Sequence, residues 1–478
     1  MSLLESRFTE LLPLHEMELR LARATIAAMG RLDRKDEATL RYALSLARVW
    51  LVRAPDGRDV AVSGNLRAYR ARLHDLLAPL LGSDRTRLPE AFELQASARV
   101  AGPLARTALT ELDRDLGHRL PAAALDREVR ERHLVLVCGG GGGTGYVHLA
   151  AFALLESAGL HPSLIAGSSM GAVLGLFRAR EKRFDLARIP EILSELTYRK
   201  IFRITPQASQ YGLPGAMRIR LREAVGHWFL HPDGSPLRLS ELAIPLLVTV
   251  TGIRRGRLPR PLEEYERLVR ISDPDPSKWG LGMVAANMRG MVAAFTELIQ
   301  IPNVAQKLVF GASEETRQAD ALDAVGFSAS VPGVLHYDVL RDDPRMHELL
   351  TGLLARHDLL RLCDGGVVDN VPARSAWRFV QRAGLPGSGS RNTVTLALDC
   401  FAPRLRTPLW LPLQQIAAAS VSRTRNYAHV YHPFERTLSP LQILPSPRAL
   451  EQIIRSAKEE LLEELPVLQR LLEPIPAL

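Results

Sequence analysis

From His133 onward the chain alternates short apolar runs with helical periodicity, and this alternation narrows the possible folds sharply. The runs are LVLVC (134–138), SLIAG (163–167), IPLLVTVTGI (244–253) and TVTLALDCF (393–401). Each is short, rich in β-branched residues and almost uncharged, as a strand buried on both faces must be. Between them, apolar residues recur at three- and four-residue spacing. Strand and helix in alternation predict a parallel sheet covered by helices on both faces. The expected fold is therefore an α/β three-layer α/β/α sandwich, with a helical N-terminal domain and a helical insertion attached.

The attachments follow from the same periodicity. Residues 1–130 read as helical in three stretches, LPLHEMELRLARATIAAMGRL, ATLRYALSLARVWLVRA and LRAYRARLHDLLAPLLG, with Arg between the apolar positions. Asp36 marks the start of the second helix. Pro55-Asp56-Gly57 forms a turn after it, and Leu51 to Val62 admits a hairpin about that turn. This region carries no chemistry of its own. Residues 131–445 form the α/β domain. Within it, 256–318 turns helical again (PLEEYERLV, DPDPSKWG, MVAANMRGMVAAFTELIQ) and reads as an insertion, either a lid or a structural cover. Residues 446–478 end the chain in a helix, ALEQIIRSAKEELLEELPVLQRLL, that docks on the core.

Composition removes several classes of function. With 478 residues and 46% apolar side chains, the chain can bury a sizeable core. The 61 Lys and Arg against 52 Asp and Glu leave a formal charge of +9, spread too widely for a nucleic-acid surface. That charge suits a solvated arginine-rich surface or peripheral contact with an anionic membrane. Cys138, Cys363 and Cys400 lie far apart, without metal-ligand spacing and too few for a disulfide framework; they suggest a reducing compartment and no metal or other cofactor. The N-terminus, charged through its first turns, lacks a signal-peptide pattern, and no uncharged apolar run reaches the roughly 18 residues of a membrane-spanning helix. A cytoplasmic or peripheral-membrane location is expected, and nothing in the pattern sets an oligomeric state.

Three segments carry the chemistry. Gly167-Ser168-Ser169-Met170-Gly171 follows the run SLIAG and precedes the helical AVLGLFRAR, so G-x-S-x-G stands in a strand–turn–helix setting. The turn strains the backbone at Ser169, and bulky side chains at Gly167 or Gly171 would clash. The hydroxyl then sits at a helix N-terminus, whose dipole favours negative charge. Gly139-Gly140-Gly141-Gly142-Gly143-Thr144-Gly145 follows the first strand. Such a run can converge backbone N–H groups on an oxyanion or a phosphate, or simply allow close packing. Gly140, Gly142 and Gly145 do match a dinucleotide fingerprint, but the second strand does not close on an acidic residue and no P-loop Lys is present. The third segment is Asp364-Gly365-Gly366-Val367-Val368-Asp369-Asn370-Val371-Pro372. An Asp-Gly turn is common for structural reasons, so alone it decides nothing.

Taken together, the glycine loop, the G-x-S-x-G elbow and the distant D-G-G resemble the patatin-like phospholipase family. Tyr211-Gly212-Leu213, Leu239-Ser240-Glu241-Leu242, Ile244-Pro245-Leu246 and Ser328-Ala329-Ser330-Val331-Pro332-Gly333 are similar to that family's connecting stretches, and Asn370 and Pro372 to the residues after its D-G-G. The likeness runs from about His133 to Phe401. It implies a sandwich of patatin-like type and a Ser–Asp dyad without histidine, Ser169 being the nucleophile and Asp364 its base. The oxyanion hole would be drawn from Gly140, Gly141, Gly142, Gly143 and Met170. The implied substrate is a lipid or acyl ester, cleaved through an acyl-enzyme without a metal. An esterase, thioesterase or acyltransferase on the same site remains open, as does an inactive fold that binds lipid or protein. One position departs from the pattern: the family's loop has Arg or Lys where this chain has Thr144. An ordinary hydrolase triad would add a histidine after the Asp, and His429 and His432 stand there, but RNYAHVYHPFER reads as structural or surface. His148 reads as a packed helix face.

Overall fold

The computed structural model describes residues 3–83, 85–203, 209–258, 261–269, 301, 303–403 and 411–478. The four apolar runs become strands of one mixed sheet: β3 (His133–Cys138), β4 (Pro162–Ser168), β7 (Leu246–Arg254) and β11 (Thr393–Asp399). Two smaller groups of strands lie elsewhere. A hairpin joins β1 (Leu51–Arg53) to β2 (Asp59–Ala61), and a small sheet contains β5 (Phe202–Arg203), β6 (Gly215–Ile219) and β9 (Gly333–His336). The main sheet is completed by β8 (Ala305–Phe310), β10 (Leu359–Asp364) and β12 (Val430–Pro433). β12, β11, β3, β4 and the first half of β7 run parallel, while β8 and β10 join β7 antiparallel.

The sheet's two faces are legible in the strands' period of two. On β3, Leu134, Leu136 and Cys138 enter one core, with α6 (Val147–Ser157) and α7 (Met170–Ala179). Val135 and Val137 enter another, with α1 (Leu3–Ala27), α2 (Arg34–Arg48), α3 (Arg67–Leu81), α4 (Ala91–Leu116), α5 (Ala122–Arg130) and the helix Ala373–Ala383. This is the three-layer α/β/α arrangement. The N-terminal helices form one continuous apolar core with their face of the sheet, which includes Leu164, Ala166 and Ala397.

Local chemistry moves several boundaries. α2 starts at Arg34 rather than at Asp36, because the Asp33 side chain accepts from the Lys35 N–H and caps the first turn. Leu51 to Val62 is the hairpin, its strands in register from Leu51 opposite Ala61 to Arg53 opposite Asp59. Ala305–Phe310, within the stretch read as helical insertion, is a strand instead; β7 offers it a free edge, and sheet pairing overrides local pattern. The helix Leu262–Val269 is present, whereas DPDPSKWG and MVAANMRGMVAAFTELIQ lie outside the described residues. The C-terminal helix divides into Pro447–Leu462 and Leu465–Leu472, because Pro466 lacks the N–H needed to continue one helix and suits the first turn of the next.

Candidate active site

The register of β7 explains how Ser169 and Asp364 meet. β4 runs parallel to β7 and ends with Ser168 opposite Thr249. β10 runs antiparallel to β7 and ends with Asp364 opposite Val250. Both lie on the edge of β7 opposite β8, which pairs with residues 248–253. Two strands therefore approach each other end to end along a third, and their C-terminal tips touch. Ser169 follows one tip and Asp364 closes the other, although 195 positions separate them.

Ser169 stands between β4 and α7 with φ 51° and ψ −128°. A left-handed backbone is costly for a side chain bearing Cβ and persists only where the surroundings enforce it. They do so here through Gly167, where a Cβ would lie 2.6 Å from the Ala172 Cα. The Ser169 N–H donates to Ser328 Oγ at 2.9 Å, and Ser328 Oγ donates to the Thr249 carbonyl at 2.6 Å. The Ser328 carbonyl accepts from the Gly365 N–H at 3.2 Å, and the Ser330 carbonyl from the Asp364 N–H at 2.9 Å. The Ser328–Ser330 segment thus ties the serine turn, the middle of β7 and the D-G-G turn together.

Asp364 is buried, 6% exposed. One oxygen, Oδ1, accepts from the Gly366 N–H at 2.7 Å, while Oδ2 is buried without a partner in hydrogen-bonding geometry among the described residues. Burial pushes the carboxyl pKa up to about 6, against the opposing pull of the nearby Ser169 hydroxyl and the Gly366 N–H. A carboxylate with that pKa is a better proton acceptor near neutrality than an ordinary Asp.

The glycine loop divides into bonded and free donors. Gly140 N–H donates to the Asn370 carbonyl at 3.2 Å and Gly143 N–H to the Pro440 carbonyl at 2.9 Å, so these two are engaged within the fold. Gly141 and Gly142 N–H have no such acceptor among the described residues, and the Met170 N–H lies in the first turn of α7, where helix donors lack partners. The loop presses on the serine: a Cβ at Gly140 would lie 2.7 Å from Ser169 Cβ. Asn370 locks it from below, its Nδ2 donating to the Gly140 carbonyl at 3.3 Å. Thr144 braces it from within, its buried hydroxyl 2.9 Å from the Gly141 carbonyl and 3.3 Å from Cys400 Sγ. The position of the resembled family's cation is thus occupied by a loop-internal hydrogen bond.

The histidines serve the framework. His148 is buried on α6, its Nε2 2.8 Å from the Gly139 carbonyl, and burial holds its pKa down to about 4. His429 Nδ1 accepts from the Thr395 N–H and its ring stacks on His15, on the other side of the sheet from α7. His432 lies on β12 beside Phe434. The three cysteines are buried, and among the described residues they form no disulfide. Among the described residues no cluster of His, Cys, Asp or Glu could hold a metal ion, and no helix is long and apolar enough to cross a membrane.

Ser169, Met170 and Gly142 open onto a cavity of about 140 Å³. Its wall is almost wholly apolar, with Phe177, Ile192, Ile201 and Leu221 among its side chains. Sequence reasoning found the serine, the aspartate and the glycines. It did not find the structural part of Ser328 or Cys400, because no local pattern signals a contact made across the sheet, and Asn370 was visible only by resemblance.

A family model described as patatin-like phospholipase matches residues 136–377, just over half of the chain. Uncharacterized NTE family proteins of Mycobacterium bovis and of two Mycobacterium tuberculosis strains are 30% identical to the chain over 139 residues. The matched stretch is 29% of this chain and 36% of each relative, so the chain spans about a third of their length. The family match begins inside β3 and runs past the turn after β10, taking in both strands whose tips meet on β7, and on that ground the chain belongs to the patatin-like phospholipase family.

Proposed function

We propose that this protein is a serine lipid acyl hydrolase of phospholipase A type, with Ser169 as nucleophile and Asp364 as general base. The observation that carries this reading is the meeting of a strained serine and a buried carboxylate at the mouth of an apolar cavity. In the reaction, Asp364 takes the Ser169 proton as Oγ attacks the ester carbonyl. Gly141, Gly142 and Met170 N–H groups face the oxyanion. Collapse expels the alcohol, a lysophospholipid where the substrate is a phospholipid, which leaves with the proton held by Asp364. Water, deprotonated in turn by Asp364, then cleaves the acyl-enzyme and frees the fatty acid. At roughly 10–15 Å³ per water-sized group, the cavity of about 140 Å³ holds on the order of ten such groups. That favours a lipid acyl chain over the short acyl group of a soluble ester.

A fluorophosphonate probe tests the assignment. One equivalent is expected to attach per chain, on the peptide containing Ser169, and to abolish fatty-acid release from phospholipid vesicles. Labelling on another peptide, or release that survives complete labelling, would refute it. Ser328 gives a second expectation. In Ser328→Ala the Ser169 N–H and the Thr249 carbonyl lose a shared buried partner, which costs about 1–3 kcal/mol of stability. A displacement of the serine turn of even about 1 Å lowers turnover by on the order of 100-fold. The expected result is a lower kcat at nearly constant KM for a soluble acyl ester, with phosphonate labelling slowed in parallel.

A further inference from the structure

One wall of the acyl cavity carries an excess of positive charge. Residues 178–203 contain eight Lys or Arg against four Asp or Glu, a net +4, with Arg178 paired to Glu156 outside the segment. The same segment supplies much of the cavity lining, including Ile189, Ile192, Leu196 and Ile201. It is amphipathic: these apolar side chains turn inward, while Lys182, Arg183, Arg199 and Arg203 are exposed. Among the described residues no carboxylate pairs with Arg183, Arg199 or Arg203. Exposed cations left unpaired on the chain segment that lines an apolar cavity are suited to an anionic surface that also delivers apolar chains.

Exposed apolar side chains mark the same rim. Tyr198 is 50% exposed at the start of the turn that carries Ile201 into the cavity, and its ring stacks on Phe202, also in the lining. Leu441 is likewise 50% exposed, two positions before Ile443 in the opposite wall. Tyr146, also in the lining, ties itself to this side through its hydroxyl, which donates to the Ile443 carbonyl at 2.6 Å. Tyr at a membrane interface places its ring among acyl chains and its hydroxyl among head groups.

We infer that the 178–203 wall is a docking surface for anionic phospholipid bilayers, seating the cavity mouth on the membrane with Tyr198 and Leu441 inserted and Arg183, Arg199 and Arg203 among the head groups. The inference rests on the acyl hydrolase reading for its purpose but not for its measurement. Cosedimentation is read with phosphatidylcholine vesicles and with vesicles doped with phosphatidylglycerol. Binding is expected only to the doped vesicles and to weaken as salt rises. Each surface cation contributes about fivefold in affinity, so the triple variant Arg183→Gln, Arg199→Gln, Arg203→Gln loses on the order of 100-fold. The variant keeps wild-type turnover of a monomeric short-chain ester and loses turnover of doped vesicles. Equal binding to both vesicle types, or a triple variant that binds as wild type does, overturns the docking surface. Wild type that turns over no ester but binds in a charge-dependent way sinks the hydrolase reading and leaves the docking surface standing.

Discussion

Ser169→Ala is expected to reduce acyl release by on the order of 10⁴–10⁶-fold, as removal of the nucleophile does in other serine hydrolases. The measurement is fatty-acid release from mixed phospholipid vesicles at saturating substrate, with wild type and variant matched in unfolding temperature. A companion variant separates chemistry from strain. The serine turn holds φ at 51°, a conformation open to glycine and costly to any residue with Cβ. Ser169→Gly should therefore be as inactive as Ser169→Ala, yet unfold at a higher temperature, because it relieves a backbone cost of about 1–3 kcal/mol at the expense of about 0.5–1 kcal/mol in chain entropy. Substantial release by either variant would remove Ser169 from the mechanism.

Asp364→Asn is expected to lose on the order of 10³–10⁴-fold in kcat, the scale on which a positioned base contributes. The pH dependence identifies the group. Wild-type kcat/KM should rise with pH through about 6, as the buried carboxyl ionises, and level off above. The same burial fixes the sign of a stability effect. The folded-state pKa is raised above the value for an unfolded Asp, so the native chain binds its proton more tightly. The contribution to stability is fully present below the unfolded pKa of about 4 and is lost as pH rises through about 6. At pH 8 the buried charge costs on the order of 3 kcal/mol. Asp364→Asn carries no charge there and should unfold at a higher temperature than wild type at pH 8, an advantage that fades as pH falls from about 6 toward about 4. A variant less stable at every pH would contradict the burial argument.

Much of this fold could be read from residue order, and the exceptions share a cause. Val135 and Val137 alternate with Leu134 and Leu136 in one uncharged run, which signals burial on both faces without revealing what covers each. The serine turn was legible because its glycines, its strand and its helix are contiguous. Asp364 was legible only in company, since Asp-Gly-Gly is an ordinary turn until β10 meets β4 on β7. β8 was missed because its pairing edge lies on β7, some fifty residues upstream. Of the glycine donors, only the folded chain shows that Pro440 and Asn370 engage two of them and leave Gly141 and Gly142 without a backbone acceptor among the described residues.

The end-to-end meeting of β4 and β10 has a consequence for how such a site can change. β7 acts as a ruler: whatever chain lies between the two tips, the spacing of Thr249 and Val250 sets the distance between Ser169 and Asp364. Segments looping away from the ruler can lengthen, shorten or be replaced without moving either group. A single-residue slip of β10, by contrast, would turn Asp364 to the opposite face of the sheet. The walls and insertions are therefore free to diverge, while the pairing of Ser169 with Asp364 is held to the registry of one strand.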